Sequence, residues 1–152
     1  MEQEGGESGR FNDASAAVIG ACIEVHRHLG PGLLESVYEE CVAYELGLRG
    51  IRFERQRDVP LVYKGYELEY GYRLDLVVEE AIIVEIKSVE RLLPIHQAQL
   101  LTYMRLTELR VGLLVNFHES ILKHGLRRLT LSSDFPSPRL PVKSLHPPYA
   151  SR

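Results

Sequence analysis

Residues 72–88 (Tyr-Arg-Leu-Asp-Leu-Val-Val-Glu-Glu-Ala-Ile-Ile-Val-Glu-Ile-Lys-Ser) constrain this chain more than any other stretch. Two runs of branched apolar residues, Leu74–Val78 and Ala81–Ile86, flank Glu79-Glu80, the pattern of two strands joined by a tight turn. Each run is apolar almost throughout, as expected of a strand covered on both faces. Asp75 interrupts the first run, and Glu85 and Lys87 interrupt the second. Side chains alternate along a strand, so Glu85 and Lys87 share one face while Ile86 takes the other. Ionised groups in a buried strand are costly unless paired or metal-bound. Two carboxylates and an ammonium converging across one strand pair therefore form a candidate metal-dependent active site. The competing reading is a same-face salt bridge between Glu85 and Lys87. Against it, the chain has 14 Arg and only four Lys, at 64, 87, 123 and 143. A Lys in the most apolar strand of an Arg-rich chain points to a need for a compact ammonium.

Composition bounds the rest. The 152 residues, 45% hydrophobic and 26% charged, suit one globular domain with a real core. Met1–Arg10 holds three Glu and three Gly, and 132–152 holds five of the eight prolines. Both read as disordered tails around a domain at 11–131. No apolar run approaches the ~20 residues that span a bilayer, and the acidic N-terminus does not resemble a signal peptide. Cys22 and Cys41 fall in helical patterns and form no C-x-x-C pair, so they read as free thiols in a reducing, cytoplasmic compartment. A net charge of −3 is unfavourable for binding phosphate. Two basic groups stand out: Arg49, Arg52, Arg55 and Arg57, and Lys123, Arg127 and Arg128. Each is a solvated face or a phosphate track, the solvated face being the simpler reading.

Asn12 or Asp13 is a good N-cap for a helix over Ala14–Leu29, stopped by Gly30-Pro31-Gly32. A second helix is predicted over Leu33–Leu48, with Leu34, Val37, Cys41 and Tyr44 or Leu48 facing inward. Glu35 lies in its first turn, with Tyr38 and Glu39 on the same side. The helix dipole alone accounts for an acidic residue there. From Ile51 the period drops to two. Ile51–Arg55, Val59–Tyr63 and Tyr66–Tyr70 read as an antiparallel meander feeding the Asp75 strand, with a turn at Lys64-Gly65. Pro94 opens a helix over Pro94–Leu109, with Leu93, Leu100, Met104 and Leu106 toward the core. Gln99 and Tyr103 share one of its faces, with His96 a turn earlier. Strands over Arg110–Phe117 and Gly125–Leu131 follow. A helix between the Lys87 strand and the Val111–Val115 strand makes those two parallel. The fold class is α/β, a mixed β-sheet flanked by helices.

Asp75 and Glu85 are hard oxygen ligands suited to Mg²⁺ or Mn²⁺, and the Ile86 carbonyl offers a third oxygen. Water on such an ion is a better nucleophile, and Lys87 would orient it or stabilise charge on a phosphate. No residue pattern suggests zinc, a nucleotide-cradling loop or an acyl-transfer nucleophile. Asp75 followed by Glu85-Ile86-Lys87 resembles the Asp…(Asp/Glu)-x-Lys signature of the PD-(D/E)XK nuclease superfamily. Gly32-Leu33-Leu34-Glu35-Ser36-Val37-Tyr38 resembles the G-x-x-E-x-x-Y motif of the GxxExxY family, a branch of that superfamily. Gln99-Leu100-Leu101-Thr102-Tyr103 resembles the Q-x-x-x-Y helix motif of its exonuclease-like members. Leu74 stands where the superfamily name has Pro, a position that carries no ligand.

The resemblance spans about Ala17 to Leu131. It implies a restriction-endonuclease-like fold and divalent-metal hydrolysis of phosphodiester bonds. It also implies that Glu35 joins the metal site, and that Gln99, Tyr103 and Tyr38 contact substrate or brace the site. Two readings of function stand: a metal-dependent nuclease acting on DNA, or a catalytically silent module of the same fold binding nucleic acid or a protein. A homodimer is compatible with either.

Overall fold

The structure, a computed structural model, describes residues 6–69 and 71–132, with side chains from Ala14 onward. The two predicted tails lie largely outside the described residues. Within 6–10 the backbone is helical, because α1 spans Gly6–Leu29 and starts ahead of the Asn12-Asp13 cap. A cap preference is worth only about 1 kcal/mol, and Asn and Asp are tolerated inside helices. Helix α2 spans Glu35–Leu48, close to prediction.

The strands are β1 (Phe53–Val59), β2 (Val62–Tyr63), β3 (Tyr66–Glu67), β4 (Tyr72–Val78), β5 (Ile82–Lys87), β6 (Val111–Asn116) and β7 (Leu126–Thr130). Helix α3 spans Pro94–Thr107, and a short 3₁₀ turn, Leu122–Gly125, precedes β7. Five strands form one mixed sheet in the order β1-β4-β5-β6-β7. The β5–β6 pair is parallel and the other pairs are antiparallel, as the connecting helix requires. The expected meander is corrected in one respect. β2 and β3 form a separate two-stranded hairpin, and β1 pairs directly with β4. Pro60, which has no N–H to donate, follows the last residue of β1 and separates it from β2.

The β4–β5 hairpin closes as expected through Glu79 and Glu80, both with positive φ (54° and 51°). That conformation matches the right-handed twist of the strands but is unfavourable for a residue with a Cβ. Glu79 offsets the strain by accepting hydrogen bonds from the Arg52 backbone and guanidinium.

Alternation along the strands sorts the core into two layers. Leu76, Val78, Val84, Ile86, Leu113 and Val115 pack under α1 and α2. Val77, Ile83 and Leu114 pack under α3 with Leu100, Tyr103 and Met104. Leu93, predicted to face the core, is exposed at the helix start instead. There its N–H is bound by His96 Nδ1 at 2.9 Å. Helix α3 sits low on β6 because Gly112 has no side chain. A Cβ there would stand 2.7 Å from Met104 Sδ and 3.0 Å from both Leu100 methyls. Gly112→Val should therefore cost about 1–3 kcal/mol by overpacking, read as a lower urea midpoint at unchanged slope.

The inward face of α2 is not the predicted one. Tyr38, Glu39, Val42, Ala43 and Leu46 are buried. Leu34, Val37, Tyr44 and Leu48 are exposed, and Cys41 is half-buried. The helix has rotated its polar pair inward because both members find partners there. Tyr38 donates to the Gly30 carbonyl and accepts from Leu33 N–H, while Arg55 and Gln56 reach Glu39. Cys22 and Cys41 are free thiols, and burial pushes the Cys22 thiol up to about 12. No helix among the described residues is long and apolar enough to cross a membrane.

Candidate active site

The β4–β5 ladder runs from Val78–Ile82 to Leu76–Val84. Beyond it, Asp75 and Glu85 lie opposite one another, and their side chains replace the ladder. The Asp75 N–H donates to Glu85 Oε1 at 3.2 Å, and the Ile86 N–H donates to Asp75 Oδ2 at 2.8 Å. Each carboxylate thus reaches across the gap to the neighbouring strand's backbone. β5 itself stays straight to Lys87, because β6 holds its other edge through the Lys87–Asn116 pairing. The opening in the sheet is therefore one-sided, and the two acids line it.

Glu85 is 6% exposed. Burial, then the charge of Asp75, pushes its carboxyl up to about 8, against weaker help from the Asp75 N–H and Lys87. Asp75 is raised too, first by burial. Two carboxylates this close and this dry resist being ionised together. Lys87, half-buried, stabilises both anions through space but forms no ion pair with either. Its ammonium is left facing the opening.

Contributions arrive from both helical layers. From α3, Tyr103 lies close enough that Glu85 and Asp75, after burial, help raise its hydroxyl to about 12. Its ring packs on Tyr72 with centroids 5.4 Å apart. Gln99, one turn earlier, is exposed on the same face. From α2, exposed Glu35 accepts from the Ser88 N–H at 3.2 Å, and its charge is felt at Asp75. Ser88 Oγ in turn donates to the Leu33 carbonyl at 2.6 Å, tying the start of α2 to the end of β5. Tyr38 does not face the opening. Its ring stacks on Phe117 at 4.4 Å, and its hydroxyl is used up on the α1–α2 loop. Ile86 is buried between its Asp75 contact and the α1–α2 core.

Three residues that the sequence reading left out support this arrangement. Glu39 is buried, and its charge reaches both Asp75 and Glu85. Gln56 stands opposite Asp75 in the β1–β4 register with φ 53°, which turns its amide out of strand alternation and onto Glu39. Asn116, fully buried, accepts from the Val89 N–H at 3.0 Å and donates to the Val89 carbonyl at 2.9 Å. It thereby fixes the chain just after Lys87. Asn116→Ala should strand both Val89 groups and cost about 1–3 kcal/mol, measured by denaturant unfolding. None of the three carries a sequence motif, since each acts through a partner distant in the chain.

The first basic group is neutralised: Arg49 by Glu45, Arg52 by Glu79, Arg55 by Glu39, and Arg57 by Glu54 and Glu80. In the second, Arg127 caps the carbonyls of His124 and Leu126, and Arg128 donates to Ser15 Oγ. Among the described residues, no three His, Cys, Asp or Glu side chains are grouped closely enough to hold a metal ion alone.

No curated protein and no solved structure matches the chain. The family model that does match, described as the PD-(D/E)XK nuclease superfamily, covers residues 12–129 and so takes in both faces of the opening, from α2 to β7. The five-stranded mixed sheet between two helical layers is the fold that such a nuclease requires. The chain belongs to the PD-(D/E)XK nuclease superfamily.

Proposed function

We propose that the chain is a divalent-metal-dependent nuclease of the GxxExxY branch, hydrolysing phosphodiester bonds in DNA in the cytoplasm. One observation carries this reading: Asp75 and Glu85 converge across the end of an opened strand ladder, with Lys87 beside them. Both carboxylates are hard donors, and burial makes both poor anions without a counter-charge, so the pair fits a divalent cation. Mg²⁺, or Mn²⁺, would be held by Asp75, Glu85 and the Ile86 carbonyl, with Glu35 at the outer edge. Two side-chain ligands suffice for Mg²⁺, which keeps several waters and takes others from substrate phosphate. When bound, the ion supplies Lewis-acid activation of phosphate and water.

The protein's own groups do the rest. Lys87 stabilises negative charge developing on the phosphate. Tyr103 keeps its proton over the working pH range and would donate a hydrogen bond into the opening. Gln99, exposed one turn away, would meet the substrate strand. Tyr38 braces the loop that presents Glu35.

The neutralised arginine group and the net charge of −3 favour the second reading, a module of this fold without turnover. A cleavage assay on single- and double-stranded DNA and RNA, with Mg²⁺ and Mn²⁺, decides between them. Wild type should cut DNA, and Asp75→Ala should not. Wild type inert on every form with either ion would sustain the silent module.

A further inference from the structure

Arg55 differs from the other arginines of its group in the carboxylate that holds it. Glu45 and Glu79 are partly exposed, and Glu54 and Glu80 are more open still. Glu39, by contrast, is 8% exposed at its side chain and fixed on α2. It takes both Arg55 Nε (3.3 Å) and Nη2 (2.9 Å) on one oxygen, Oε2. Its other oxygen is occupied by the Gln56 amide.

Gln56 adopts a left-handed backbone to make that contact, a conformation that costs on the order of 1 kcal/mol or more in a strand. Local strain of this kind persists where surrounding structure enforces it. Here it places Glu39 between Arg55 and the Asp75–Glu85 pair, whose carboxyls both respond to its charge. Arg55 itself sits opposite Leu76, one residue from Asp75, and remains 41% exposed at its side chain. It lines a groove of about 440 Å³ with Tyr44, Leu48 and Phe53. Using Nε and Nη2 on one buried oxygen leaves the Nη1 edge of the fork available to a second anion.

We infer that Arg55 is a substrate-contacting residue that binds a phosphate of the nucleic-acid strand beside the one being cut, and that Glu39 is the positioning residue that holds its guanidinium for this. The inference rests on the nuclease reading and adds a contact to it. A site lined by Glu35, Glu39, Asp75 and Glu85 repels a polyanion, and Lys87 is spent on the reacting phosphate. An anchored arginine at the rim restores attraction without adding a mobile charge. Anchoring also lowers the entropy lost when phosphate binds.

Two variants test it. Arg55→Lys keeps a cation beside Glu39 but loses the fork. The double variant Glu39→Gln/Arg55→Met removes both charges at similar shape, so no buried carboxylate is left unpaired. Binding is read by fluorescence anisotropy of a labelled DNA oligonucleotide in Ca²⁺ over a salt series, and KM and kcat are read in Mg²⁺. Arg55→Lys should raise Kd and KM about tenfold with kcat nearly unchanged. The double variant should weaken binding at least as much and lower the slope of log K against log salt by about 1. Wild-type affinity and salt slope in either variant overturn the inference, as does a loss confined to kcat, while leaving the nuclease reading intact. A wild type that binds no DNA overturns the nuclease reading itself, and the inference falls with it.

Discussion

Lys87→Met should lose about 10²–10⁴-fold in the rate of phosphodiester cleavage while keeping its fold, its metal affinity and most of its affinity for DNA. The side chain lies at the end of β5, held in place by pairing to Asn116 and by the Asn116 clamp on Val89. Met preserves most of the aliphatic stem, so no cavity opens behind it. The competing role for Lys87 is neutralisation of Asp75 and Glu85. Losing a true partner of two buried carboxylates would cost several kcal/mol, recoverable in part with Mg²⁺. The structure speaks against that cost, since the ammonium forms no ion pair with either acid and influences them only through space. Thermal melts of wild type and Lys87→Met, with and without Mg²⁺, should nearly coincide while the cleavage assay separates them. A strongly destabilised variant beside a wild type that cuts nothing would remove Lys87 from the catalytic set and the enzyme reading with it.

The second large effect is a dependence of metal-free stability on pH that runs opposite to ordinary acid denaturation. The folded state raises the Glu85 carboxyl from 4.5 to about 8. A proton held there by the folded protein and released by the unfolded chain stabilises the fold below the ordinary carboxylate value. That stability is lost as pH rises through about 8. Asp75 is shifted in the same direction and adds to the loss. Between about pH 5 and pH 9 the metal-free protein should therefore lose on the order of a few kcal/mol. Mg²⁺ takes the place of the proton, so its stabilising effect should grow across the same window. Glu85→Gln carries a permanently neutral group of similar shape. It should flatten the pH profile, be more stable than wild type at the alkaline end, fail to respond to Mg²⁺, and cut nothing. Calorimetric melts across the pH range read all of this. A wild-type curve that climbs steadily with pH would show that Glu85 is ionised at no cost, contrary to its burial.

Much of the site was legible because strands write their pattern locally. An acid in an otherwise apolar run announces itself, and alternation places Glu85 and Lys87 on one face without knowledge of anything else. The pairing of Asp75 with Glu85 followed from a tight turn at Glu79-Glu80, which sets the hairpin register. Tyr103 was legible from its spacing to Gln99, though only packing revealed that Tyr103 is buried near the acids while Gln99 is exposed.

Helix α2 shows where local pattern fails. Leu34, Val37, Cys41, Tyr44 and Leu48 form an apolar stripe of regular spacing, and a count of apolar residues must choose it. The fold buries Tyr38 and Glu39 instead. Burying a carboxylate costs several kcal/mol unless partners meet it, and the partners, Arg55 and Gln56, come from β1. No periodicity within α2 carries information about β1.

By itself, then, the sequence determined the strand hairpin, the Asp75, Glu85 and Lys87 triad, the crossover helix and the parallel pairing it imposes. These depend on turn chemistry, alternation and chain connectivity, all local quantities. Tertiary structure alone decided that the β4–β5 ladder opens at Asp75, that α2 turns Glu39 inward, and that the basic cluster spends its charge on neighbouring acids. Each is a competition between desolvation and a partner distant in the chain, and it is settled only when the elements are packed together.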